Sequence, residues 1–117
     1  MFCTILLLAL LLSGCDREMH SVRYEISGTP STVSLSYENA TGGSEQRDVH
    51  PPWTLSFQTL TWEHIGITVF NPNFSGSVTC RLYVDGRLIQ EATSEGGFKW
   101  ATCDGLAGVT NEPTPTP

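Results

Sequence analysis

Residues 78–92 read Val-Thr-Cys-Arg-Leu-Tyr-Val-Asp-Gly-Arg-Leu-Ile-Gln-Glu-Ala. Asp85-Gly86 is a two-residue turn signal: a type I′ turn needs positive φ at both central positions, and Asp followed by Gly tolerates it. Val78 to Val84 and Leu88 to Ala92 flank that turn as two strands, so the stretch reads as a β-hairpin. The same grammar continues on both sides. Phe98 to Cys103 follows Glu95-Gly96-Gly97, and Ile65 to Phe70 is closed by Asn71-Pro72-Asn73. Trp53-Thr54-Leu55-Ser56-Phe57 alternates strictly after two prolines, which suit an edge strand or a strand start. Glu45 to Val49 is a weak, polar strand behind the loop Asn39 to Ser44. Val33 to Tyr37 and Val22 to Ile26 alternate apolar with polar or charged residues, the pattern of a half-buried strand, with Thr29-Pro30-Ser31 between them. No i, i+3, i+4 apolar pattern persists after the amino-terminal run. Seven or eight short strands at this spacing predict an all-β, antiparallel sandwich or barrel over residues 22–105, and a length of roughly a hundred residues suits an immunoglobulin-like β-sandwich.

Length and charge narrow the function. The 117 residues hold one domain, and six Lys plus Arg against twelve Asp plus Glu give a net charge of -6. An acidic chain without clustered Lys and Arg is not built to bind nucleic acid, whose phosphates need them. It has no polybasic patch for anionic lipid either. Residues 106–117 end in Asn-Glu-Pro-Thr-Pro-Thr-Pro and are expected to form a disordered tail that builds no core.

The amino terminus supplies the missing membrane link. Eleven of the first twelve residues are apolar. As a helix, residues 2–13 would span about 18 Å against a hydrocarbon core of about 30 Å, too short to cross but suited to a signal-peptide core. Leu12-Ser13-Gly14-Cys15 resembles a bacterial lipobox, in which the Cys thiol takes diacylglycerol and the peptide is cut before it. Residues 1–14 are therefore expected to be a lipoprotein signal peptide and Cys15 the lipid attachment point. Residues 15–21 would be a tether with a reach of about 20 Å. Met1-Phe2-Cys3 lacks the positive charge usual at the start of such signals.

With Cys3 removed and Cys15 acylated, Cys80 and Cys103 remain, and in an oxidising compartment two such thiols on neighbouring strands are expected to join as a structural disulfide. A redox role would call for Cys-x-x-Cys or an adjacent Lys or His, and neither is present. His20, His50 and His64 are scattered and lack metal-ligand spacing. Glu25, Glu38 and Glu63 could pair as acid and base only by meeting in a cleft; as alternate strand residues they read as exposed. No nucleophile elbow or phosphate loop occurs. Trp53 and Trp100 fall in apolar strand phases, as core or sheet-face residues. Trp62, beside Glu63 in a loop, is the best exposed aromatic for a partner, together with the stiff loop His50-Pro51-Pro52. The residues point to an anchored binding module without cofactor, metal or catalytic grouping.

Several stretches, Val22 to Gly28, Val33 to Tyr37, Pro52-Trp53-Thr54 and Val78 to Gly86 leading on to Cys103, together resemble the MmpS family of small mycobacterial membrane proteins. The likeness covers roughly residues 22–104. It implies an extracytoplasmic β-sandwich that accompanies large MmpL transporters of the resistance-nodulation-division class, exporters of lipids and siderophores, and it carries no catalytic residues. Members of that family keep a transmembrane helix where this chain has its lipobox-like pattern. The expected function is thus an accessory of a membrane transporter, lipid-anchored on the extracytoplasmic face of the cell membrane; the alternative is a free-standing lipoprotein that binds a small ligand or an envelope component.

Overall fold

Side chains that alternate along a strand point to opposite faces of its sheet, and here that alternation builds a two-layer core. The computed structural model describes residues 18–108. Its strands are β1 Met19–Gly28, β2 Val33–Glu38, β3 Ser44–Val49, β4 Trp53–Leu60, β5 His64–Phe70, β6 Ser77–Val84, β7 Arg87–Glu95 and β8 Trp100–Leu106. They form two four-stranded sheets, β4-β1-β6-β7 and β3-β2-β5-β8, antiparallel throughout. Val22, Tyr24 and Ile26 of β1 and Val78, Cys80, Leu82 and Val84 of β6 face Val33, Leu35 and Tyr37 of β2 and Ile65, Ile67 and Val69 of β5 across the core.

The layers are those of an immunoglobulin sandwich, with β4-β1 and β3-β2-β5-β8 placed as strands E-B and C′-C-F-G. The wiring departs in one place. After β5 the chain crosses to the other sheet, lays the β6–β7 hairpin on the side of β1 where an immunoglobulin domain puts its first strand, and returns as β8. The hairpin turn has positive φ at both Asp85 and Gly86, as its sequence requires. The Cys80–Cys103 disulfide joins β6 to β8 and so ties the two sheets, with the Cα atoms 6.1 Å apart.

A second link between the sheets is Tyr24. β2 is paired to β5 from Ser34↔Phe70 to Tyr37↔Ile67. Just beyond that last pair the Tyr24 hydroxyl donates to the Glu38 carbonyl at 2.7 Å and accepts from the Gly66 N–H at 3.0 Å. It completes the ladder where the two strands part, so a phenol at the centre of the core has both its valences met. Burial raises the Tyr24 phenol well above its ordinary pKa, against the lowering effect of the Gly66 hydrogen bond. The ring also makes edge contacts with Tyr37 and Phe57.

Several boundaries differ from the sequence reading. β1 begins at Met19, so residues 19–21, expected in the tether, pair with Leu60, Thr59 and Gln58 of β4. Leu106, expected to open the tail, is the last residue of β8, and Ala107 is buried. Phe98 precedes β8 in a turn with φ 57°, because its N–H donates to the Asn71 carbonyl instead of entering the ladder. The signal peptide 1–14, Cys15 and residues 109–117 lie outside the described residues.

Candidate functional site

Strand direction gives the sandwich two poles. The start of β1, the end of β8 and the β2–β3, β4–β5 and β6–β7 turns form the near pole; the β1–β2, β3–β4, β5–β6 and β7–β8 loops form the far pole. Trp62, in the β4–β5 turn, belongs to the near pole, and His50-Pro51-Pro52, before β4, to the far pole. The eight residues of β4 hold them about 26 Å apart. The structure therefore does not bring these expected contact residues into one surface.

Trp62 is 64% exposed with φ 76°, a left-handed conformation that costs a bulky side chain about 1–3 kcal/mol. Both sides of its turn are pinned. Trp62 N–H donates to the Ala107 carbonyl, Ala107 N–H to the Glu63 carbonyl, and Thr61 N–H to the Glu18 carbonyl. Met19 and Leu60, opposite each other on β1 and β4, and Leu106 add exposed apolar surface at this pole. A groove of about 350 Å³ runs past Met19, Ala40, Thr41 and Leu60.

Beneath the turn lies a cluster that the sequence reading missed. The His20 ring reaches Asp85 Oδ2 through Nδ1 at 2.7 Å and Thr61 Oγ1 through Nε2 at 2.8 Å. Asp85 also accepts from Ser21 N–H, and these donors, His20 first, hold its carboxyl below the ordinary Asp range. The order Asp, His, Thr matches that of a catalytic triad, yet the surroundings are those of a clasp. Thr61 Oγ1 donates to the Glu18 carbonyl, Gly108 packs against Nε2 so closely that even a Cβ would collide with it, and none of Asp85, His20 and Thr61 lines the grooves named here. Thr61 and Asp85 lie 41 and 65 positions from His20 along the chain, so no local motif announces them.

The far pole carries a different surface. Asn71 is fully buried, and its Nδ2 donates to the Ser75 and Gly96 carbonyls while its Oδ1 accepts from Asn73. This knot binds the β5–β6 and β7–β8 loops together and thrusts Phe74, 91% exposed, against Phe98. Trp100 is a sheet-face residue, 63% exposed and packed at a tilt against Phe70, beside a groove of about 280 Å³. His50 bonds to the Ser31 carbonyl, and the Pro51-Pro52 bond is cis. Phe74 was legible in principle: an aromatic inside Asn-Pro-Asn-Phe-Ser-Gly has no strand in which to be buried. Trp53 packs half-buried on the core.

The carboxylates considered as acid and base are dispersed. Glu25 pairs with Arg23 on the outer face of one sheet, Glu38 with His64 on the other sheet, and Glu63 sits in the Trp62 turn. Among the described residues no three of His, Cys, Asp and Glu are grouped to hold a metal ion, and no helix is long and apolar enough to cross a membrane. A further groove among the described residues, about 440 Å³, is shallow and lies over Arg23 and Tyr83, whose guanidinium and ring stack at 4.0 Å. What the surface offers is aromatic contact at two poles.

The sequence pattern of the family described as Mycobacterium membrane protein matches residues 17–105. The chain is 32% identical over 76 residues to the probable transport accessory protein MmpS5 of Mycobacterium bovis, an alignment that takes in 64% of this chain and 53% of that protein. It is similar to the same extent to the siderophore export accessory protein MmpS5 of Mycobacterium tuberculosis. The chain spans about half the length of these curated relatives. The matched region takes in seven strands and all but the last residue of β8, and the chain belongs to the Mycobacterium membrane protein family, the MmpS proteins.

Proposed function

We propose that this protein is a non-catalytic accessory of a membrane transporter, held at the extracytoplasmic face of the cell membrane by acylation of Cys15. The observation that carries the reading is its kinship with proteins named for transport and siderophore export accessory roles. The fold supports it. Contact surface is concentrated at the poles, and Trp62 is presented on a turn that spends conformational strain to expose an aromatic ring. With β1 starting at Met19, the link from Cys15 is four residues and reaches at most about 14 Å. The near pole, with Trp62, Met19 and Leu60, then stays close to the bilayer, where a partner's membrane-proximal parts lie. The acyl anchor is tested by mass spectrometry of the membrane-extracted protein, which should find lipid on an amino-terminal Cys15. The partner is tested by crosslinking in native membranes: a large multi-span protein should be captured, and Trp62→Ala should reduce that capture several-fold without lowering the melting temperature. An unmodified mature terminus elsewhere would remove the anchor. Capture of soluble ligands alone would replace the accessory role with that of a free-standing binding lipoprotein.

A further inference from the structure

An edge strand presents unpaired N–H and C=O groups to any extended chain that approaches, and proteins blunt such edges with charge, bulges or cover. Among the described residues the two sheets have four edges, and three of them are blunted. β3 carries Glu45, Arg47 and Asp48. β7 carries Arg87, Glu91 and Glu95 and has a register shift opposite Leu82 and Tyr83. β8 carries Asp104, whose N–H is taken by the Gln90 side chain. β4, Trp-Thr-Leu-Ser-Phe-Gln-Thr-Leu, has no charged residue, no proline and an unbroken eight-residue register with β1. In a chain of net charge -6, such a neutral edge stands out.

The inner face of β4 is also incompletely covered. Trp53, Leu55 and Phe57 pack on the core yet are only partly buried. On the opposite side of the sandwich β7 packs against β8, but no comparable contact joins β4 to β3. We infer that β4 is a strand-addition site for an extended segment of the membrane partner, uncharged and alternating apolar with polar residues; this rests on the accessory role proposed above. The occupant's chemistry follows from the two faces. Its inward side chains lie against Leu55 and Phe57, where a charge would be desolvated without a counter-ion. Its outward side chains lie beside Thr54, Ser56 and Gln58. A second copy of this chain fits less well: antiparallel pairing of β4 with its own copy turns that copy end for end. Its near pole and short Cys15 link are then carried about 26 Å away from the first copy's.

The test uses the full chain in native membranes, with a photo-reactive benzophenone side chain in place of Gln58 on β4, and separately of Trp62 and of Glu91 on the far edge of the same sheet. The Gln58 position should capture a multi-span membrane protein, with the crosslink mapped to an uncharged alternating segment, and the Glu91 position should not. Ser56→Lys, at an exposed position, should reduce the Gln58 capture at least tenfold while the melting temperature holds, and Ser56→Thr should retain it. If Trp62 captures the membrane protein and Gln58 does not, strand addition is overturned and the accessory role stands. If Gln58 captures only a second copy, strand addition by a partner is likewise overturned. If no position captures a membrane protein, the accessory role falls and the inference falls with it.

Discussion

Tyr24 bonds through one oxygen atom to a backbone acceptor on β2 and a backbone donor on β5, and this defines its cost of removal. Tyr24→Phe keeps the ring contacts but leaves the Glu38 carbonyl and the Gly66 N–H without the hydroxyl that joins them. A buried backbone group left unsatisfied costs about 1–3 kcal/mol, which in a domain of this size lowers the melting temperature by about 5–15 °C. Thermal unfolding followed by circular dichroism measures it, and an unchanged midpoint would show that the ladder closes without the phenol. Asp85 gives a pH-dependent counterpart. Its folded pKa lies below the ordinary value of 3.8 because His20 and the Ser21 N–H stabilise the carboxylate. The stability it contributes is therefore present above about pH 4 and is lost as pH falls through the lowered folded value. Asp85→Asn keeps the turn, since Asn-Gly suits type I′ as well as Asp-Gly does. The variant should melt below the parent at about pH 6, and the gap should close by about pH 2. A gap that persists in acid would mean that the carboxylate charge is not what the clasp uses.

At the scale of the element, the β6–β7 hairpin is local in sequence but depends on distant partners for its place. It displaces the first strand of the immunoglobulin arrangement, and the disulfide to β8 locks it across the core. Cys80 and Cys103 are 23 positions apart, and closing a loop of that length stabilises the fold by about 3 kcal/mol in the chain-entropy account. Changing both cysteines to Ala should lower the melting temperature by about 15 °C. The β-rich far-ultraviolet spectrum should persist at room temperature, because the apolar rows of β1, β2, β5 and β6 remain. Loss of the spectrum would make the disulfide a condition of folding and not an addition to it.

Over the whole molecule, the two aromatic surfaces lie at opposite ends of one sandwich, so a single partner protein would have to meet them through separate segments. β1 begins at the near pole, and the far pole projects in the opposite direction. Crosslinkers at Trp62 and at Phe98 should for that reason map to different segments of whatever is captured, or only one of them should capture at all.

Alternation and turn chemistry alone were enough to read the sheet strands, since period-two burial and Asp-Gly turns are properties of neighbouring residues. Val22 to Ile26, Val33 to Tyr37 and the 78–92 hairpin were legible for that reason. So was the pairing of the last two cysteines, which needed only the count and an oxidising compartment. Exposure of Trp62 was also readable, from its place between two strands. Other features were settled by tertiary structure. The His20–Thr61–Asp85 clasp joins residues brought together only by strand pairing. The removal of Trp62 and His50 to opposite poles follows from the direction in which β4 runs. Phe98 left its expected strand because a backbone carbonyl of Asn71, 27 residues earlier in the chain, claimed its N–H. The neutral character of β4 is written plainly in its sequence, but that it is an edge, with no sheet neighbour beyond it among the described residues, is a fact of topology, because which strands are left unpaired is decided by the whole set of pairings at once.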